Sequence, residues 1–78
     1  MNKQNRGNLK KAIDYLAMAC DISNDCLDYE RDALSNMEGT SLEYTERYSD
    51  IEESCDYLDE AIEHIESAMD SLHSAIEK

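Results

Sequence analysis

The side chains able to do chemistry in this chain are nineteen carboxylates, two histidines, three cysteines and five tyrosines. Glu60 and His64 stand four apart and Asp70 and His73 three apart, spacings at which a helix brings two metal ligands together. His64 and His73 are nine apart, however, which turns them to opposite sides of a helix, and both fall beside the apolar stripe rather than within it. No metal centre and no cofactor are expected. Cys20 and Cys55 fall at apolar positions and Cys26 beside them, so the thiols are expected to pack as small hydrophobes. An odd number of cysteines outside a secretory context points to reduced thiols in a cytoplasm.

Carboxylates are the more telling set. Residues 12–78 hold all nineteen acids against Arg31, Arg47 and Lys78, and residues 48–77 hold ten acids with no Lys or Arg. Asp50, Glu52, Glu53, Asp56, Asp59, Glu60, Glu63, Glu66 and Asp70 would line the second half, with Asp14, Asp21, Asp25, Asp28 and Asp32 on the first. The net charge of -12 argues against direct binding to nucleic acid or an anionic membrane and favours a protein partner with a basic surface. Rows of carboxylates on a rigid helix imitate a phosphate backbone, and such rows could occupy a nucleic-acid groove. A second expected contact is a tip patch of Tyr44, Arg47 and Tyr48, since exposed Tyr and Arg anchor partners well.

What must position these groups is helical. The chain lacks Pro, Phe, Trp and Val, which leaves few strand formers and no helix breaker. From Ile51 the apolar residues run Ile51, Cys55, Leu58, Ile62, Ile65, Met69, Leu72, Ile76, alternating steps of four and three as a heptad seam does, and Tyr44 and Tyr48 prolong the register backwards. The first half repeats it with Leu9, Ile13, Leu16, Cys20, Ser23, Leu27, Glu30, Leu34 and Met37, in which Ser23 and Glu30 are polar interruptions that could fix register. A row of small residues accompanies each seam: Ala12, Ala19, Cys26 and Ala33, then Ser54, Ala61, Ala68 and Ala75. The phrase L-x-x-A-I recurs at Leu9, Leu58 and Leu72, offsets that are multiples of seven.

Gly39 supplies a helix stop, and Thr40-Ser41-Leu42-Glu43 fits a capping box, as does Ser49-Asp50-Ile51-Glu52. The sequence therefore predicts one all-α domain over residues 1–78: helix 1 at about 8–37, a turn at 38–40 and helix 2 at about 41–77, with an irregular entry over 41–48 as a variant. Two such helices form an antiparallel hairpin that cannot cover its own apolar faces. Dimerisation into a four-helix bundle is the expected remedy.

Ala33-Leu34-Ser35-Asn36, Ser41-Leu42, Glu46-Arg47-Tyr48 and Ile51-Glu52, followed by heptad Leu/Ile and Ala, resemble small acidic helical proteins of prophages and mobile elements in Gram-positive bacteria. The resemblance covers residues 32–78, and Met37-Glu38 stands where those proteins would carry a proline. It implies a phage-type, non-enzymatic protein acting in the host cytoplasm, and by analogy an anti-defence inhibitor of the anti-restriction or anti-CRISPR type. The alternative is a coiled-coil adaptor for assembly, with its acids serving only solubility.

Overall fold

In the computed structural model, which describes all 78 residues, the chain is two long antiparallel helices joined by a short turn. Helix α1 runs Lys3–Met37 and helix α2 Glu46–Glu77, with a single 3-10 turn at Ser41–Tyr44 between them. The hairpin measures 59 × 14 × 14 Å. There is no strand, and no helix is long and apolar enough to cross a membrane.

Helix α1 starts at Lys3, well before residue 8. The apolar period is silent over this polar run, but Asn2 caps it: its side-chain oxygen accepts from the Asn5 N–H at 2.7 Å and its carbonyl from the Arg6 N–H at 3.1 Å. Lys3 and Arg6 then lie in the first turns, where the helix dipole disfavours cations, and no acid is there to offset them.

The chain reverses at Gly39, whose φ of 76° belongs to the left-handed region that glycine enters without strain. The capping box of Thr40 and Glu43 forms in shifted partnership. Thr40 Oγ1 accepts from the Leu42 N–H at 3.2 Å, and Glu43 accepts from the Gly39 N–H at 3.1 Å. The hydroxyl of Thr40 also donates to the last-turn carbonyl of Met37 at 2.6 Å, tying the turn to α1.

The second box does not form: Ser49 lies inside α2, its N–H bonded to the Thr45 carbonyl. Thr45 is the true cap, accepting from the Tyr48 N–H at 3.3 Å while its hydroxyl donates to Leu42 at 2.7 Å. Because the helix begins only at Glu46, Tyr44 falls outside it and its ring is 88% exposed. The backward extension of the seam thus stops at Tyr48.

Every seam residue from Leu9 to Ile76 in the two helices is turned inward, either buried or half-buried. Full burial is confined to Ile13, Leu27, Met37, Cys55 and Ile62, because a two-helix hairpin shields only a narrow line. Leu27, Cys55 and Ile62 form its centre, with Cys20, Leu34, Ile51 and Leu58 packed around them. Ser23 and Glu30 are half-buried within the same line. Leu16, Ile65, Met69 and Leu72 complete it towards the open end, all half-buried.

Candidate functional surfaces: an acidic flank and an uncharged one

The side on which each residue lies follows from the pairing of the helices. Arg31 reaches across to Asp59, its Nη2 lying 3.1 Å from each carboxylate oxygen. Both residues follow a seam position by one, Glu30 and Leu58 respectively. In an antiparallel pair, such "one-after" positions of the two helices meet along one flank and "one-before" positions along the other. The pair is about half exposed on both sides, so it contributes under about 1 kcal/mol and serves mainly to mark the register.

The one-after flank and the outer surface carry the acids. Glu52, Glu53, Asp56, Glu60, Glu63, Glu66 and Asp70 of α2 are exposed and Asp59 is half-buried; Asp14, Asp21, Asp25, Asp28 and Asp32 of α1 are exposed as well. Only one ion pair involves any of them, Arg31–Asp59; His64 Nε2 also lies 3.5 Å from a Glu60 carboxylate oxygen. Asp56, Glu63 and Asp70, spaced by seven, form a line of carboxylates with no cation opposite. Asp50 lies apart from these rows, one heptad before Tyr57. No three His, Cys, Asp or Glu side chains converge to hold a metal ion.

The other flank is of opposite character. Ala12, Tyr15, Ala19, Ile22, Cys26, Tyr29 and Ala33 follow one another in α1 at steps of three and four, a second seam roughly a quarter-turn from the first. Ser54, Tyr57, Ala61, His64, Ala68, Ser71 and Ala75 do the same in α2. Although 33% of the chain is charged, none of these fourteen is Asp, Glu, Lys or Arg. Tyr15, Ile22, Tyr29 and Tyr57 are 70%, 61%, 74% and 63% exposed. Tyr15, Ile22 and Tyr29 share a period of seven with one another, and that period is the signal in the sequence that joins the tyrosines to the alanine row on one face.

At the tip, the three residues expected to act together separate. Tyr44 projects into solvent, whereas Tyr48 is half-buried and its hydroxyl donates to Glu38 at 3.5 Å. Burial, then the carboxylates of Glu38, Glu52 and Glu43, push the Tyr48 phenol above its ordinary value. Arg47 instead borders an open hollow of about 330 Å³ whose other walls are Ala33, Met37, Leu42, Thr45 and Ile51. Of the thiols, Cys26 is exposed, Cys20 half-buried and Cys55 buried. Burial pushes the Cys55 thiol up, with the Glu30 carboxylate adding to the effect.

No protein-family model, curated protein or solved structure matches this chain.

Proposed function

We propose that this protein is a non-enzymatic binding module: an acidic helical hairpin, dimerising into a four-helix bundle, that occupies the basic nucleic-acid-binding surface of a host defence enzyme. The observation that carries the reading is the segregation of charge. Carboxylates run along one flank and the outer surface almost without counter-ions, while the other flank has none between Ser54 and Ala75. Solubility alone requires acids anywhere on the surface, not their exclusion from one side. A rigid row of unpaired carboxylates attracts a basic groove at long range and gains affinity by releasing the counterions of both surfaces. Cytoplasmic action in a phage-infected cell accords with the resemblance to prophage proteins.

The test is capture of a partner from bacterial lysate on immobilised protein. A nuclease or helicase should be retained, and its affinity should fall by about tenfold or more between ~0.05 and ~0.2 M salt. Replacing Asp56, Glu63 and Asp70 with Lys should abolish retention. A partner held equally well at both salt concentrations, or by the charge-reversed protein, would refute the electrostatic reading.

The assembly-adaptor reading draws on the exposed Tyr15, Ile22 and Tyr29, which are more apolar surface than a solitary hairpin needs to display. It predicts instead that the three Lys substitutions leave partner binding intact.

A further inference from the structure

We infer that the uncharged flank is the dimer interface, and that two copies meet on it antiparallel, α1 against α1, about a two-fold axis at Ile22. This rests on the dimeric reading above and adds its surface and its orientation.

The order of residues along α1 supports it first. Tyr15 and Tyr29 stand seven residues to either side of Ile22, and between each tyrosine and Ile22 lies one small residue, Ala19 or Cys26. Ala12 and Ala33 close the pattern at its ends. The row therefore reads small, Tyr, small, Ile, small, Tyr, small from either direction. An isologous two-fold interface requires this property, since residue i of one copy meets residue j of the other and j meets i. With the axis at Ile22, Tyr15 comes level with the second copy's Tyr29, Ala19 with Cys26 and Ala12 with Ala33. Bulky rings and small side chains then interleave along the helices.

Charge fixes the same orientation independently. The first eleven residues carry four cations and no acid, whereas residues 38–53 at the turn end carry six acids and one Arg. Stacking turn on turn would oppose like charges at both ends. The antiparallel arrangement brings the basic end level with the acidic turn end of the second copy, and Lys11 level with the second copy's Asp32, both exposed and bordering the row. Lys3 and Arg6 sit at the end of α1 where its own dipole opposes them, a cost that the carboxylates of a neighbour's turn end offset.

The experiment combines solution mass with zero-length carbodiimide cross-linking of the unmodified protein, using an equal mixture of ¹⁴N and ¹⁵N chains. The expected mass is twice 8.9 kDa. Ile22→Asp should reduce it to that of one chain with helicity retained, whereas Ser35→Asp, exposed on the opposite side of α1, should leave the dimer intact. Mixed-isotope links should join Lys11 to Asp32, which border the row and come level across the axis. The two are 21 residues apart on one helix, about 31 Å, so no single hairpin can make that link. A one-chain mass for the unmodified protein would overturn both the dimer and its interface. A dimer that survives Ile22→Asp would leave dimerisation standing but overturn this surface. A dimer broken by Ile22→Asp that yields no mixed-isotope link between Lys11 and Asp32, while Lys10 links to Asp14 within its own helix, would overturn the orientation.

Discussion

Leu27→Ala is the substitution expected to cost the hairpin most. Leu27 is 2% exposed, the least of any residue, and sits between Cys55 and Ile62. Truncation removes three carbons, worth about 2.4 kcal/mol at ~0.8 kcal/mol for each buried methylene. A cavity term would add to this in a thick core. In a rod only 14 Å across, the neighbours can close in or water can enter, so the expected loss lies at the low end of the usual range, about 2–3 kcal/mol. A chain of 78 residues has on the order of 4–12 kcal/mol of stability in total, so roughly a sixth or more of it is at stake. Urea unfolding followed by far-UV circular dichroism reads the effect directly. With a denaturant slope near ~1 kcal/mol/M, the midpoint should fall by about 2–3 M. Met18→Ala, at a site 60% exposed and off both seams, serves as the control and should cost less than about 1 kcal/mol. If Leu27→Ala costs no more than Met18→Ala, the seam does not hold the helices together and the reasoning from burial fails.

The two glycines should respond with opposite sign: Gly7→Ala, in a helix with open space at its Cβ, should raise the thermal midpoint by roughly 0.5–1 kcal/mol of stability, and Gly39→Ala, with equal space but a φ of 76°, should lower it by about 1 kcal/mol. Thr45→Ala removes the cap of α2 and should cost about 1 kcal/mol in the same melts, whereas Ser49→Ala should cost little, because Ser49 caps nothing. Alkylation followed by mass spectrometry at neutral pH should modify Cys26 readily in Ile22→Asp, where the uncharged flank is open, more slowly in the paired protein, and Cys55 only on unfolding, its thiol being both buried and held in the neutral form. The raised Cys55 value also gives a pH dependence: its contribution to stability is complete below the ordinary thiol value of 9.0 and is lost as pH rises through the folded value. Urea midpoints measured above pH 9 should therefore fall less in Cys55→Ala than in the parent.

The two helices and their inner seam were legible because Ile51 to Ile76 keep a heptad period with no gap, and period is the part of a sequence that most directly encodes a packed helix face. Gly39 was legible for a similar reason, being the one residue between the seams able to adopt positive φ without strain. The ends of the helices were not. Residues 3–8 carry no apolar signal, so only Asn2 announced the start of α1, and a polar cap in a polar run is a faint mark. Two capping boxes competed for the start of α2, and neither prevailed. Thr45 won because its hydroxyl also donates to the Leu42 carbonyl three residues back and closes the 3-10 turn, a local bond that a capping box keyed to a Glu three residues on does not detect. The outer surface was half legible. The acids were visible as a run, but their absence from the other flank between Ser54 and Ala75 depends on which edges of the two helices meet, and that is marked by the Arg31–Asp59 pair across the hairpin.

The most direct test of a hairpin divided lengthwise into a self-pairing flank and a free acidic one is tyrosine footprinting by iodination or nitration, read by mass spectrometry. In a lone hairpin, Tyr15 at 70% exposure, Tyr29 at 74% and Tyr44 at 88% would all react at similar rates. With the uncharged flank paired, Tyr15 and Tyr29 should be protected several-fold relative to Tyr44 and should regain full reactivity in Ile22→Asp. Reaction of Tyr29 as fast as Tyr44 in the unmodified protein, at concentrations where it is fully folded, would contradict the account.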